Sequence, residues 1–446
     1  MRKLFNTLAA SFAAILFVAS PALATNGHQL IGIGAYSVGM GGATTAAPYD
    51  TTTAVTNPAG MAVIDTRADF SFEAFMPSRT ADFTASGGES NQGGSPMYLV
   101  PAVGWVGPIN EAKDLVFGGG MFVTSGMGVD YDTISSVPFG AQGGDFTPWK
   151  ANIYSQYQFW KLAPTLAKKI DNNLTVGISL DVDYQQLAVK EKFFDTKSSS
   201  YFGLDLSRAV GSMGFGVTLG ALYKVNDMIQ VGASYISEQS FSDMDFRLSQ
   251  GDVMFPTGTG TYLMSGNGTY KLGMNFPQQV IIGLAVAPMS NLKVTADYKW
   301  INFSQTHNKI NLKGSFAEVS SAGQAVGSAS ALPLNFGWDD QSVIAVGVEY
   351  GVNEMLKLRA GYNYASSPIK EEDVFNNLAF PAISESHITL GAGLNLSKNW
   401  ELALAYARAF KKEITGKNDM MGSSSGAKIA LEGQSVLLGI SYNYGK

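Results

Sequence analysis

The chain has no cysteine, little charge and, after its first two dozen residues, no long apolar run. The lack of cysteine excludes a disulfide-stapled scaffold and any thiolate chemistry. Without an uninterrupted apolar run of about 18 residues there is no transmembrane helix. Charged residues make up 15% of the chain, whereas an ordinary soluble domain carries about a quarter. A formal net charge of −6 leaves no basic surface for nucleic acid. Histidines number three: His28, His307 and His387. The residues form no metal-ligand cluster, P-loop or dinucleotide fingerprint in a fitting context, so neither cofactor nor metal is expected.

Glycine is plentiful, at 50 residues, and aromatics reach 11%. Low charge, many glycines and many aromatics without a hydrophobic helix fit an outer-membrane β-barrel. The outer face of such a barrel is apolar and its inner face polar, so no single segment looks hydrophobic.

Residues 1–24 read as a secretory leader. Arg2 and Lys3 give a positive start, Leu8 to Ala19 form an apolar run too short to span a bilayer, and Ala22-Leu23-Ala24 is a small-x-small cleavage site. Removing 24 residues from 446 leaves 422, and losing two cations moves the formal net charge from −6 to −8. Export followed by insertion into the cell outer membrane is the expected route.

Alternation dominates from Arg67 to the C-terminus. Leu174, Val176, Ile178, Leu180, Val182 and Tyr184 take one face of a strand, and Thr175, Gly177, Ser179, Asp181 and Asp183 take the other. The same period recurs over 344–350, 356–364, 388–396 and 436–444. Six short polar turns separate such runs: 110–114, 171–173, 226–227, 290–291, 353–354 and 398–399. Six hairpins with one strand before and one after give fourteen strands, an even number as closed bacterial barrels have. Closure matters because an open sheet edge in lipid strands its backbone groups. The connections at the other end read as longer loops: 126–150, 192–208, 241–261, 314–333, 369–381 and 416–426. Trp105, Trp149, Tyr154, Tyr157, Trp160, Tyr298, Trp300, Tyr350 and Trp400 crowd the strand ends and read as interfacial girdles.

Residues 25–66 differ. They are rich in small residues, nearly uncharged and without a sustained period, and read as a plug inside the barrel of residues 67–446. Asn57-Pro58 suits a helix start, with Asn57 as cap and Pro58 at the first helical position.

An export signal is followed by Asn26-Gly27, by Ser37-Val38-Gly39-Met40-Gly41-Gly42-Ala43 and by Asn57-Pro58-Ala59-Gly60-Met61. Farther on come Asp297-Tyr298-Lys299-Trp300-Ile301-Asn302-Phe303, Phe336-Gly337-Trp338-Asp339-Asp340-Gln341 and Arg359-Ala360-Gly361-Tyr362-Asn363-Tyr364. Over the whole mature chain this resembles the FadL/TodX family of outer-membrane transporters for hydrophobic compounds. One departure is the ending Tyr442-Asn443-Tyr444-Gly445-Lys446, two residues past the last aromatic.

The resemblance implies an all-β, fourteen-stranded transmembrane barrel with an N-terminal hatch. It implies passive uptake of long-chain fatty acids or related hydrophobic compounds. Ligand would be captured at external loops, bound in the lumen and, after hatch movement, released sideways through a kink in the third strand. Asn57, Pro58 and Ala59 then fall at the gate. The third strand reads as Leu115 to Thr124, and Gly118, Gly119 and Gly120 within it favour a bend. A carboxylate head group needs a lumen cation, for which Lys299 and Arg359 are the candidates; the competing reading pairs each with an interior carboxylate. Phe193, Phe194, Tyr201 and Phe202, with Met254, Phe255 and Leu263, are candidates for an apolar capture groove. The expected partners are a hydrophobic small molecule and the lipid and lipopolysaccharide around a monomer. An aromatic or alkane hydrocarbon channel of the same fold is the alternative cargo reading. A membrane lipase needing a Ser/His pair, and a surface adhesin needing no plug, are the alternatives of other classes.

Overall fold

The computed structural model describes residues 25–94, 97–137, 149–196, 200–257, 260–417 and 426–444. Residues 1–24, residues 138–148, most of the last loop and the final Gly445-Lys446 lie outside them.

Fourteen antiparallel strands close into one ring. They are β1 (Arg67–Asp82), β2 (Tyr98–Pro108), β3 (Leu115–Val137), β4 (Trp149–Leu162, continued by Thr165–Lys169), β5 (Leu174–Asp195) and β6 (Tyr201–Lys224). β7 (Ile229–Ile236), β8 (Gln279–Met289), β9 (Leu292–Ile301) and β10 (Gln341–Gly351) follow. β11 (Leu356–Ala365), β12 (Ser386–Asn395), β13 (Trp400–Thr415) and β14 (Lys428–Asn443) complete the series. β14 pairs back onto β1 from Lys428↔Asp82 to Asn443↔Arg67, which closes the ring.

Side-chain alternation sets the two faces. In β5, Ile178 and Leu180 are 45% and 50% exposed, while Ser179 and Asp181 are fully buried. An apolar exterior over a polar interior is stable only with lipid outside. Trp105, Tyr298, Tyr350 and Trp400 point outward as a girdle requires, but Tyr157 is buried and points in.

All six short turns fall between the expected strands. The loops are a partial correction. The stretch 192–208, read as a loop, is mostly paired strand, with Phe193↔Phe202 and Phe194↔Tyr201 in register. The third strand runs on to Val137 instead of stopping at Thr124. Both regions are alternating sequence with charges interspersed, and pairing beyond the lipid overrides the loop-like composition. Between β9 and β10 the loop end carries a short helix, Phe303–His307, and a hairpin of Lys309–Ser320 with Ala325–Asn335.

Residues 25–66 touch inward-facing groups on strands all round the ring. Asn363 Nδ2 donates to Gly41 O (3.0 Å), and Thr389 Oγ1 to Gly39 O (3.3 Å). Gln230 Nε2 donates to Ala46 O (2.8 Å), Ser179 Oγ to Ala54 O (2.6 Å) and Arg67 to Tyr49 O (2.9 Å). Backbone approaches so closely that side chains are excluded. A Cβ on Gly361 would lie 2.3 Å from Gly41 N, one on Gly177 2.4 Å from Ala59 N, and one on Gly232 2.4 Å from Thr45 O. Much of the glycine excess therefore lies where this segment seats. Asn57 precedes the one-turn helix Pro58–Ala62, as read, but its side chain makes no cap bond. Its amide donates instead to Thr45 O (2.8 Å) and to Ala221 O of β6 (3.1 Å).

Candidate functional site

The segment divides the pore. Toward the short turns the interior is ionic and tightly filled. Arg359 Nε donates to Glu349 Oε2 at 2.8 Å, and its guanidinium lies 4.7 Å from the ring centre of Tyr36 and 5.1 Å from that of Tyr49. Lys161 Nζ meets Asp181 Oδ2 at 2.6 Å, and Asp297 Oδ2 accepts from Thr45 N at 2.9 Å.

Toward the loops lies a cavity of about 600 Å³. Leu187, Val189, Phe193, Phe202, Leu204, Phe255, Leu263, Met274, Phe336, Trp338 and Phe375 supply most of its wall. Four of the capture residues, Phe193, Phe202, Phe255 and Leu263, line it. Phe194, Tyr201 and Met254 do not, because alternation in the paired extensions of β5 and β6 turns the first two away; Tyr201 OH donates instead to Gly251 O at 3.1 Å.

The head-group assignment does not hold for this cavity. Among its described lining residues there is neither Lys nor Arg. Arg359 is committed to Glu349 on the turn side of the segment, so the competing reading of an interior ion pair applies to it. Lys299 opens onto a separate space of about 60 Å³ with Asp297 and Lys161. Both residues face inward as their strand phase requires; what misplaces them is depth along the pore.

His28 forms part of the cavity floor. It occupies the tip of a two-residue turn, Gly27-His28, in a minimal hairpin with Thr25↔Leu30 and Asn26↔Gln29 in register. Gly27 has φ +59°, and a Cβ there would sit 2.9 Å from the Phe303 ring. His28 Nδ1 is 2.5 Å from Ser125 Oγ on β3, and its Nε2 is 3.1 Å from Nε2 of His307. His307 Nδ1 is 2.8 Å from Thr306 Oγ1. Phe303, Trp338, Tyr157 and Phe276 box the His28 ring, with ring centres 5.1 to 5.6 Å away. Burial, and then the neighbouring His307, hold His28 well below the ordinary histidine range, and burial lowers His307 to about 3. Both rings are therefore neutral at physiological pH.

A second space, about 340 Å³, lies beyond His28. Tyr157 and Met127 line both cavities, so with His28 they form the partition. The second space reaches the barrel wall at Met97 and Leu99, which are 53% and 56% exposed. The wall is open there for a topological reason. The β2–β3 ladder runs from Pro108↔Val116 to Ala102↔Phe122 and ends, although β2 begins at Tyr98 and β3 continues to Val137. The edge of β3 released at this point is taken up by the N-terminal hairpin: Gln29 pairs with Ser125, and Gly126 N donates to His28 O at 3.1 Å.

The residues expected at the gate lie apart from this gap. Asn57, Pro58 and Ala59 lie against Gly220 of β6 and Gly177 of β5, not against the third strand. Met61 alone reaches Gly118 from that turn. Gly119 is bent, with φ +138°, and Gly118, Gly119 and Gly120 stay paired with Val106, Trp105 and Gly104 of β2. Opposite them β4 is interrupted at Ala163-Pro164. The separation from β2 starts past Phe122, with a register shift between Val123 and Ser125 on the β4 side. Sequence reading missed Thr25 to Leu30 as the segment beside the gap. The available signal was a polar residue, His28, following Asn26-Gly27 at the start of a nearly uncharged stretch.

Known proteins share this architecture over almost the entire chain. Outer membrane protein P1 of Haemophilus influenzae is 24% identical, with all of both chains covered. The 47 kDa outer membrane protein of Pasteurella multocida is 25% identical over 97% of this chain and 98% of its own. The toluene transporter TodX of Pseudomonas putida superposes with a TM-score of 0.70 at 21% identity, covering 94% of this chain and all of that one. The model of the outer membrane protein transport protein family (OMPP1/FadL/TodX) matches residues 15–445. The chain therefore belongs to this family: it is an outer-membrane transport protein and not an enzyme.

Proposed function

We propose that the protein passes neutral hydrophobic molecules, monoaromatic hydrocarbons among them, across the outer membrane without coupled energy. Residues 25–66 act as the hatch of the 67–446 barrel, after removal of leader 1–24. Cargo enters from the loop end, rests in the 600 Å³ cavity, crosses the His28 partition and leaves sideways between β2 and β3.

One observation carries this reading. An apolar cavity with no Lys or Arg in its described lining adjoins a second cavity that reaches the unpaired stretch of the wall. An apolar molecule gains roughly 0.8 kcal/mol for each buried CH2. Release into water would forfeit that gain, whereas release into lipid keeps it. TodX, named as a toluene transporter, supplies the cargo analogy.

Long-chain fatty acids are the less favoured cargo. Their carboxylate would need a cation, and Lys299 and Arg359 are elsewhere. Arg79 lines the second cavity, but its guanidinium already donates to Gly128 O (2.7 Å) and Tyr98 OH (3.3 Å).

Uptake of labelled toluene and labelled oleate by cells with and without the protein tests the cargo; protein-dependent oleate uptake with none for toluene would reject it. The route is tested by a Gln29→Cys, Ser125→Cys pair. These positions are register partners, and the chain has no other cysteine. Oxidation should stop toluene uptake and reduction restore it; uptake indifferent to the bridge would remove the side exit.

A further inference from the structure

The loop-end cavity contains one carboxyl group that transport of a plain hydrocarbon does not use. Glu191 stands on β5 in the inward phase shared by Leu187, Val189 and Phe193, and it lines the cavity with them. Its register partners are Ile153 on β4 and Leu204 on β6, both buried and apolar. The lysines on either side in sequence belong to the opposite face. Lys190 Nζ lies 3.6 Å from Asp205 Oδ2, and Lys192 Nζ sits 5.0 Å over the Tyr201 ring. Among the described residues the Glu191 carboxyl has no hydrogen-bond or ion-pair partner. Of the other titratable groups on the cavity, His28 and His307 bond to each other and to Ser125 and Thr306, and Tyr157 OH donates to Gln185 Oε1 at 3.2 Å.

A carboxyl group walled by apolar side chains and left without a donor is held at a cost in free energy. A cargo molecule that brings one donor removes that cost. An ammonium could also pair with Glu191, but it would first have to be stripped of strongly bound water. A hydroxyl on an aromatic ring donates with a smaller desolvation cost, and the rest of the ring suits the aromatic wall.

We infer that Glu191 is a specificity-determining residue that accepts a hydrogen bond from the hydroxyl of phenol-type cargo. This rests on the cavity being the cargo site, as proposed above. It narrows the class from hydrophobic molecules in general to aromatic ones with a single donating substituent.

The test is calorimetric titration of the purified full-length mature protein in detergent with ethylbenzene and 4-ethylphenol. Wild type should bind 4-ethylphenol about tenfold more tightly than ethylbenzene, the effect of one hydrogen bond. Glu191→Leu should reduce that ratio to about one while ethylbenzene affinity is kept, which also verifies that the variant is folded. Glu191→Gln, which keeps an acceptor oxygen, should retain part of the preference. An unchanged phenol-to-hydrocarbon ratio in Glu191→Leu overturns the role of Glu191 alone. If wild type binds neither aromatic, the cargo site itself is rejected.

Discussion

The two ends of the pore are built on opposite rules. At the turn end the N-terminal segment sits against glycines, and charges are met by an opposite charge or a backbone dipole, as in Arg359 with Glu349 and Asp297 with Thr45 N. At the loop end, side chains are large and aromatic, about 600 Å³ stays open, and Glu191 is left unanswered. Tight polar seating resists water and ions, whereas loose apolar packing accepts a guest. The difference assigns closure to one end and recognition to the other.

The comparison breaks most sharply at Gly361. A Gly361→Val change puts side-chain atoms where Gly41 N now lies, and the segment should unseat. Single-channel recordings in planar bilayers should then show a stable ionic conductance absent from wild type. A sealed pore in a variant that retains its heat-modifiable band would refute the seating role of that glycine.

Arg359→Ala comes next. It leaves Glu349 with Lys293 Nζ at 3.8 Å, so the loss should fall below the ~3–5 kcal/mol of a fully broken buried pair. The temperature at which the folded electrophoretic form disappears should drop clearly, while ethylbenzene affinity changes less than about twofold. A marked loss of affinity would tie the two ends together and return Arg359 to the cargo site.

His28→Ala removes part of the partition. Binding in the loop-end cavity should weaken several-fold, at about 1 kcal/mol for the lost ring contacts, and toluene flux should rise. Slower flux with tighter binding would show that the ring guides cargo instead of holding it back.

Acid should act through the same pair. Burial depresses the folded-state values of His28 and His307 below the ordinary 6.5. Their neutral forms thus contribute stability that is fully present above about 6.5. It is lost progressively as pH falls from there toward about 3, because the unfolded chain takes up protons first. Protection of residues 25–30 against hydrogen exchange, relative to the intrinsic rate at each pH, should fall between pH 6.5 and 4, and less so in His307→Asn. The smallest effect belongs to Lys299→Ala, which should leave aromatic binding unchanged within experimental scatter in titration.

Strand count, hairpin turns and the orientation of each alternating face were legible in the sequence, because period two against lipid is a local signal. Ile178 and Leu180 face out, and Ser179 and Asp181 face in, as the alternation implies. Depth along the pore was not legible. Lys299 and Arg359 have the correct face at the wrong level, since level depends on where the N-terminal segment lodges. The site of the wall gap was also hidden. Gly118-Gly119-Gly120 mark a bend, but the ladder ends only past Phe122, and nothing in β2 or β3 alone announces where two strands part. Glu191 was masked by its neighbours. Lys190-Glu191-Lys192 reads as a solvated charge run until pairing carries alternation through it.

The glycines that receive the N-terminal segment bear on inheritance. Gly177, Gly232 and Gly361 are spread over β5, β7 and β11, yet each is shaped to a different stretch of the same forty-odd residues. Cast and mould are encoded at distant points of one chain, so neither can drift alone. A chimaera carrying a relative's first segment on this barrel should assemble only when the small-residue positions of both parents coincide, whatever cargo each parent prefers.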